Sequence, residues 1–299
     1  MAEVHLQGKI ALVTGSTSGI GKVTARELAR LGATVVIVSR SRAKGEATLA
    51  EIKLATGNEQ VELLVADLNS QADIRRLTEE FTQKHSQLHI LVNNAGGIYK
   101  DRTATPEGLE ATFATNYLAP FLLTGLLLDT LKASAPARIV NVSSSAHAPG
   151  KINFDDLQAE KRYNAWVAYG QAKLALVLFT YELARQLEGT GVTVNALHPG
   201  VVASNFDSGG GLFLRIGWKI IAPFILSVEK GARTTLYVAT SPEVEGVTGK
   251  YFDNSKEKKS SSASYNEAIR LRLWEVSNQL APLTAEVPSV VSSDAAPTA

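Results

Sequence analysis

Residues 9–21 of the chain read KIALVTGSTSGIG, an apolar run that ends in a glycine-rich turn. The run predicts a buried β-strand over 9–13, and the pattern that follows predicts a helix over 19–31. Glycine permits a tight turn close to a phosphate, and the amide groups at a helix start attract negative charge. The glycines are spaced more widely than in the GxGxxG fingerprint. Because the turn joins a first strand to a first helix, we nevertheless predict a dinucleotide pyrophosphate site here.

Short β-branched runs alternate with longer helical patterns along the rest of the chain. Such alternation is typical of βαβ units. We therefore predict an α/β fold with a single Rossmann-type doubly wound parallel sheet, flanked by helices on both faces. The predicted strands are 9–13, 34–39, 61–66, 88–92, 137–142 and 192–197, with a short seventh at 250–252. The predicted helices are 19–31, 41–55, 71–84, 106–132, 163–187, 228–239 and 264–280, the last with Leu271, Trp274 and Leu280 on its apolar side.

Composition narrows the classes of function. The chain has 299 residues, 20% of them charged, and a formal net charge of +1. Near-neutrality gives no electrostatic reason to expect nucleic acid as a partner. The absence of cysteine excludes disulfides, thiolate zinc sites, iron–sulfur clusters and a cysteine nucleophile. His85 and His89 stand four apart without a third ligand at a suitable spacing, so we predict no metal site.

The predicted elements fit one domain over residues 1–282. The segment 201–226 is weakly patterned and rich in apolar residues, and we predict that it forms a substrate lid. The alternatives are that it covers the core or contacts a membrane peripherally. Residues 283–299 have too few apolar side chains to offset their ordering entropy and are predicted to be disordered. The chain shows no secretory signal pattern and no apolar stretch of about 20 residues, so we expect a cytoplasmic protein.

Tyr169 and Lys173 form the most informative polar pair in the sequence. Residues four apart on a helix lie on the same face. An ammonium group beside a phenol favours the phenolate, so we expect Lys173 to lower the pKa of Tyr169. In isolation such a pair is usually surface packing. Together with a nucleotide cradle in the same chain, it indicates hydride chemistry.

The end of the second predicted strand bears on the choice of cofactor. An NAD site usually has an acidic residue there, whereas an arginine accommodates a 2′-phosphate. The chain has Ser39 and Arg40 at this position, so we predict NADP(H) rather than NAD(H). Arg40 could instead be a solvated loop residue. At the end of the third strand, Asp67 is expected to bond the adenine amino group or, alternatively, to cap the next helix.

Several motifs occur in the order found in short-chain dehydrogenases/reductases, and the chain resembles that family over roughly residues 8–253. They are Thr14 to Gly21, Asn93 to Gly96, Asn116, the serine cluster 143–145, Tyr169 with Lys173, and Pro199-Gly200. Within the family, the chain looks like the retinol dehydrogenase branch. The segments that resemble this branch are Arg138 to His147, His198 to Val202, Gly249 to Asp253, and Leu273 to Ser277.

The resemblance implies a role for each matching residue. It makes Tyr169 the general acid/base, with Lys173 lowering its pKa, Ser144 holding the substrate oxygen, and Asn116 supporting a water that relays protons. From the residues alone, His147 and His198 are predicted to support a loop and a strand end, with a catalytic role as the alternative. The cofactor residues predicted from the residue patterns and the resemblance together are Gly15, Ser16, Thr17, Ser18, Gly19, Ile20, Gly21, Arg40, Asp67, Leu68, Asn94, Ala95, Gly96, Tyr169, Lys173, Pro199, Gly200 and Val202, with Ser204 as a further contact.

The resemblance also implies an oxidoreductase that interconverts an alcohol and a hydrophobic or retinoid-like aldehyde or ketone. A general carbonyl reductase is the second interpretation of the same site. The alternative class is a non-catalytic NADP(H)-binding sensor or scaffold. The expected partners are a small-molecule substrate and further copies of the same chain in a homo-oligomer.

Overall fold

The computed structural model describes residues 5–200 and 227–284. Within these ranges, eight strands form one sheet. They are β1 (Ile10–Thr14), β2 (Thr34–Ser39), β3 (Val61–Val65), β4 (Ile90–Asn93), β5 (Ala137–Val142), β6 (Val192–His198), β7 (Tyr251–Asp253) and β8 (Lys256–Glu257). Their order is β3-β2-β1-β4-β5-β6-β7-β8. Neighbouring strands are parallel except β7 and β8, so the predicted doubly wound parallel sheet is confirmed.

Helices connect the strands. In chain order they are α1 (Gly19–Arg30), α2 (Arg42–Thr56), α3 (Gln71–Lys84), α4 (Ala119–Leu126), α5 (Leu128–Ala133), α6 (Ala165–Gln186), α7 (Val228–Thr240) and α8 (Glu267–Leu280). A short helical turn, Ala111–Phe113, and a π-helical stretch, Ala114–Leu118, precede α4. Most predicted boundaries lie within two residues of these.

The sheet has a core on each face because successive side chains of a strand point to opposite sides. Leu12 and Val36 belong to the core that α3, α4, α6 and α8 cover. Ala11 and Val35, one position earlier on the same strands, belong to the core under α1, α2 and α7. Since both faces are covered, the central strands β1, β2 and β4 are mostly apolar, as parallel strands in α/β proteins are.

Side-chain caps explain where several helices begin. Ser41 caps α2 by accepting from the backbone amide of Lys44, and Ser70 caps α3 in the same way from Asp73. Asn164 accepts from two amides of the first turn of α6. That cap begins the helix at residue 165, two residues after the predicted start.

The predicted single helix 106–132 is wrong. The Glu110 carboxylate accepts from the amides of Thr112 and Phe113, so the helical segment begins after that residue. The backbone then widens into the π-helical stretch before α4, and α4 ends at Leu126. A π-helical insertion of this kind is frequent at functional sites.

The carboxyl-terminal part departs from the prediction in three respects. Leu271 is 41% exposed and does not lie on the packed side of α8, where Leu273 and Ser277 are buried. The strand β8 has no counterpart in the prediction. Leu283, assigned to the disordered tail, packs against the core, so the fold extends beyond residue 282. The proposed lid 201–226 and residues 285–299 lie outside the described residues.

Candidate active site

The polar motifs of the sequence meet at one edge of the sheet. The carboxyl ends of parallel strands share an edge, and ligands of open α/β sheets bind there. Thr14 ends β1, Asn93 ends β4, and His198 ends β6. The serine cluster 143–145 follows β5 directly. The topology therefore gathers residues that are up to 184 positions apart, from Thr14 to His198, at one place.

The glycine-rich turn packs tightly against the loop after β4. Gly15 has a φ of +63°, and a Cβ there would lie 2.8 Å from the Cα of Ala95. A Cβ on Gly21 would overlap the side-chain amide of Asn94 and the carbonyl group of Gly15. Glycine is therefore required at both positions, for backbone conformation at the first and for space at the second.

Asn94 and Thr14 hold this turn in place. The Asn94 side-chain amide donates to the carbonyls of Thr14, at 2.9 Å, and Gly15, at 3.2 Å. The Thr14 hydroxyl accepts from the amides of Asn94 and Ala95, each at 3.0 Å. Asn94, predicted to line the cofactor groove, thus braces the groove wall. The bracing role of Thr14 was not predicted, although its place at a strand end beside a glycine is a signal for it.

The amino terminus of α1 has the features of an anion-binding site. Ser18 precedes α1 without making a side-chain cap, and the first turn contains no acidic residue. Among the described helices of twelve residues or more, each of the others has a side-chain cap, made by Ser41, Ser70, Asn164, Ser227 and Asn266. Uncapped amides at a helix start attract phosphate. The residues at this end of the sheet fit the pyrophosphate of a dinucleotide.

The Ser16 side chain is engaged within the protein. Its hydroxyl donates to the carbonyl of Val38, at 3.2 Å, and accepts from the amide of the same residue, at 3.1 Å. It ties the turn to β2 and is completely buried. The Ser16 hydroxyl is therefore engaged by Val38, and the other two hydroxyl groups of the turn are those of Thr17 and Ser18. The place of Ser16 among the cofactor residues stays a prediction.

The adenosine end of the predicted groove lies at the ends of β2 and β3. Arg40 is exposed directly after β2, and Ser39 is buried. The Asp67 carboxylate accepts from the backbone amide of Asn69, at 2.9 Å, whereas Ser70 caps α3. Asp67 is therefore not the helix cap, and its adenine contact stays a prediction. Leu68 packs partly buried against the core.

Tyr169, Ser144 and Lys173 lie together above this edge. Tyr169 and Ser144 are joined by a side-chain hydrogen bond. The Lys173 ammonium nitrogen lies 5.6 Å from the centre of the Tyr169 ring and donates to the Val142 carbonyl at 2.9 Å. The ring of Trp166 meets Tyr169 edge-on, with 6.4 Å between centroids. The predicted phenol, amine and serine hydroxyl are thus brought to one point.

The predicted direction of the Tyr169 pKa is wrong for the chain alone. Burial raises the pKa of Tyr169 to about 12, and the hydrogen bond from Ser144 acts in the opposite direction. Burial also lowers the pKa of Lys173 to about 7. An amine with that pKa has only part of its charge at neutral pH, so its pull on the phenol is weak. A sequence motif reports the spacing of two groups and not their desolvation.

The burial of the Lys173 amine predicts how the free energy of unfolding depends on pH. The unfolded chain binds more protons than the folded one between pH 7 and 10, because Lys173 titrates near pH 10.4 when unfolded and at about pH 7 when folded. The free energy of unfolding should therefore rise with pH in this window, by at most about 1.4 kcal/mol per pH unit from this group. Urea titrations at pH 7.5 and 9.5 should show that rise, and Lys173→Met should remove it. The surface variant Lys84→Met should retain it, and equal slopes in all three proteins would contradict the assignment.

Asn116 lies in the π-helical stretch, fully buried beside Lys173. Its side-chain amide donates to the carbonyls of Gly97 and Thr112, both at 2.7 Å, and its oxygen accepts from the Gly97 amide at 3.2 Å. A Cβ on Gly96 would lie 3.3 Å from the Lys173 nitrogen. Asn116 thus fixes the loop 96–97 against the amine, and its water-relay role stays a prediction.

The loop after β5 is supported by two imidazoles. His147 bonds the carbonyl of Ser144, and His198 bonds the amide of Ser145. Their prediction as supports of a loop and a strand end agrees with these contacts. Pro199 and Gly200 follow β6 at the same edge of the sheet. Val202 and Ser204, predicted to extend this contact, lie outside the described residues.

The fold and this set of side chains define a class of protein, a Rossmann-type oxidoreductase with a tyrosine–lysine–serine centre beside a dinucleotide groove. The chain belongs to the short-chain dehydrogenase family, because the family model for short chain dehydrogenases matches residues 9–209. The resemblance stated from the motifs is therefore confirmed.

Individual relatives place the chain in the retinol dehydrogenase-like branch. It is 47% identical over 277 residues to retinol dehydrogenase 12 of Mus musculus, covering 93% of this chain and 87% of the relative. It is 43% identical over 279 residues to polyprenol dehydrogenase of Homo sapiens, covering 91% and 84%. The Pseudomonas aeruginosa RhlG/NADP active-site complex matches with a TM-score of 0.68 and 29% identity, covering 83% and 95%. The protein is an oxidoreductase, and its family uses a nicotinamide cofactor.

Within the ranges that the structure describes, none of the helices combines the length and apolar character required to span a bilayer.

Proposed function

We propose that the protein uses NADP(H) to interconvert a hydrophobic, retinoid-like aldehyde or ketone and its alcohol. The observation that carries this proposal is the juxtaposition of Tyr169, Ser144 and Lys173 at the sheet edge that holds the glycine-rich turn. Retinol and polyprenol dehydrogenases among the relatives support a lipophilic substrate. A general carbonyl reductase remains the wider form of the proposal.

A bound nicotinamide supplies the hydride in reduction and accepts it in oxidation. Tyr169 donates its phenolic proton to the carbonyl oxygen during reduction and takes it back during oxidation. A phenol whose pKa is raised to about 12 is fully protonated at neutral pH, which suits the donor role. The Ser144 hydroxyl donates a second hydrogen bond to the same oxygen, and two donors stabilise the charge that develops there.

Lys173 supports the phenol from one turn along α6. Its nitrogen lies 5.6 Å from the centre of the Tyr169 ring, and Lys173 as a whole is 4% exposed. An anionic phenolate, which forms as Tyr169 gives up its proton, raises the affinity of that amine for a proton. Asn116 and Gly97 keep the adjacent loop in register with the amine.

The test of the proposed function is a substrate screen with purified protein. Consumption of NADPH would be followed with retinal and with aliphatic, aromatic and steroid carbonyl compounds. Turnover of retinal above that of small aldehydes supports the retinoid-like form, and turnover of small carbonyls alone supports the general reductase. A protein that binds NADPH and reduces none of them would instead be the sensor or scaffold.

The proposed choice of NADP(H) predicts an effect of Arg40→Asp. The substitution removes a cation and adds a carboxylate that repels a 2′-phosphate and can accept from a 2′-hydroxyl. We expect the Kd for NADPH to rise about tenfold, equivalent to about 1.4 kcal/mol, and the Kd for NADH not to rise. Fluorescence titration measures both constants. Arg42→Asp, also exposed and on α2, is the control, and a wild-type protein that prefers NADH would refute the choice.

A cytoplasmic location and a homo-oligomeric state stay predictions from the sequence. Cell fractionation tests the first, with membrane association that high salt reverses as the signature of peripheral contact. Light scattering of the purified protein tests the second.

A further inference from the structure

The peptide group between Ser144 and Ser145 is held at both of its polar atoms by histidine side chains. The Ser144 carbonyl oxygen lies 2.7 Å from Nδ1 of His147. The Ser145 amide donates to Nδ1 of His198 at 3.2 Å. The two histidines reach this peptide from different sides, since one follows it on the same loop and the other ends β6. We call this arrangement the imidazole clamp.

The contacts define the proton positions on both rings. The Ser261 amide donates to Nε2 of His147 at 3.1 Å, so this nitrogen has a lone pair. A neutral imidazole has one protonated nitrogen, and the proton of His147 is therefore on Nδ1, where it is donated to the Ser144 carbonyl. His198 has the opposite form, because Nδ1 accepts from Ser145 and the proton resides on Nε2. Protonation of either ring would place a ring N–H against a backbone N–H, that of Ser261 for His147 and that of Ser145 for His198.

The surroundings keep both rings neutral. Burial lowers the pKa of His147 and of His198 below the usual histidine value. Asp253 faces His198 and opposes this lowering, but its carboxylate is paired with Lys258 at 2.7 Å. The Tyr251 phenol packs against His147, with its oxygen 3.3 Å from Nδ1. Burial raises the pKa of this phenol, so it is neutral. The clamp therefore faces one paired carboxylate, one ammonium and a neutral phenol.

We propose that His147 and His198 are positioning residues of the reaction, which fix the rotation of the Ser144–Ser145 peptide and thereby aim the Ser144 hydroxyl. The inference rests on the proposed function, in which that hydroxyl bonds the substrate oxygen. Ser144 has extended backbone and is followed at once by a short 3-10 turn, 145–147. A rotation of the peptide at this junction would swing the serine side chain away from Tyr169. Small displacements of a reacting group can cost about a hundredfold in rate.

The contacts of the imidazole clamp predict which substitutions keep its two hydrogen bonds. Asparagine places an oxygen or an amide nitrogen where Nδ1 of histidine lies. His198→Asn keeps an acceptor for the Ser145 amide, and His147→Asn keeps a donor to the Ser144 carbonyl, whereas both alanine variants lose these contacts. His89→Ala is the matched control, because Nδ1 of His89 also accepts a backbone amide, that of Ile10, at the opposite end of the strands.

Steady-state kinetics with NADPH and the best carbonyl substrate tests the proposal. We expect each clamp alanine variant to lower kcat about tenfold with a smaller change in KM, and each asparagine variant to recover most of the loss. His89→Ala should lower stability and leave kcat unchanged. The acid limb of the wild-type pH profile, below the usual histidine range, should be lost when both histidines are asparagine. Alanine variants within twofold of wild type, or losses that asparagine does not restore, would overturn the proposal.

A second measurement separates the clamp from the catalytic role of Ser144. Nitrogen-15 chemical shifts of the histidines should show the Nδ1–H form for His147 and the Nε2–H form for His198 across neutral pH. The reverse forms, or charged rings, would overturn the proposal whatever the turnover. If Ser144→Ala remains fully active while the shifts are as expected, the proposed function is at fault and the clamp geometry stands.

Discussion

Tyr169→Phe is expected to lower kcat by about 10²- to 10⁴-fold, the usual contribution of a positioned acid/base. The phenol is 7% exposed, hydrogen bonded to Ser144 and next to the Lys173 amine. Phenylalanine keeps the ring and its edge-on contact with Trp166. The substitution therefore removes only the phenolic hydroxyl, with its transferable proton and its hydrogen bond to Ser144. The measurement is kcat with NADPH and a carbonyl substrate.

Tyr117→Phe is the matched control for this experiment. Tyr117 is also buried, and its hydroxyl bonds Ser277 at 2.6 Å within the core. Removal of that hydroxyl should lower the free energy of unfolding by about 1 kcal/mol and leave kcat within a few-fold of wild type. Equal losses of kcat in the two variants would show that the loss in Tyr169→Phe is not specific to the candidate site. That result would contradict the acid/base role.

Gly21→Ala is expected to weaken NADPH binding about tenfold to a hundredfold. The new Cβ would overlap the Asn94 side chain and the backbone carbonyl of Gly15, and the latter cannot rotate away. Overpacking of this kind costs about 1–3 kcal/mol, and here it displaces the turn that faces the pyrophosphate. Calorimetric titration measures the Kd, and turnover at saturating NADPH should recover in large part.

Gly45→Ala separates this effect from general destabilisation. Gly45 is a buried helical glycine of α2, and its Cβ would meet the flexible side chain of Leu63. The Kd for NADPH should be unchanged in this variant even if the free energy of unfolding falls. An unchanged Kd in Gly21→Ala would show that the glycine-rich turn does not bind the cofactor.

Local signals predicted most of the fold. Strands β2 and β5 and helix α3 have the predicted bounds, because each is a run of apolar residues or a periodic pattern with a cap such as Ser70. The prediction failed where the residue pattern does not report the backbone conformation or the buried face of a helix. Glu110 and the π-helical stretch interrupt a pattern that reads as one helix, and the exposed Leu271 shows that apolar type does not define the buried face of α8.

The candidate site was partly readable in the same way. The spacing of Tyr169 and Lys173 and the glycines of the first turn are local properties, and their positions in the fold agree with the prediction. The direction of the Tyr169 pKa does not, since it depends on how many atoms surround the phenol. The engaged hydroxyl of Ser16 and the bracing of the turn by Thr14 depend on partners 22 to 81 residues away.

Residue types and short spacings were thus sufficient for the class of fold, the glycine-rich turn, the family and the chemical groups of the centre. Contacts between distant segments decided which of these groups are buried, which donate, and which are held in place. The reason is physical: hydrogen-bond partners and desolvation come from residues that the chain brings together only on folding. His147 and His198 illustrate this, because 51 positions separate them in sequence and one peptide group joins them in the folded protein.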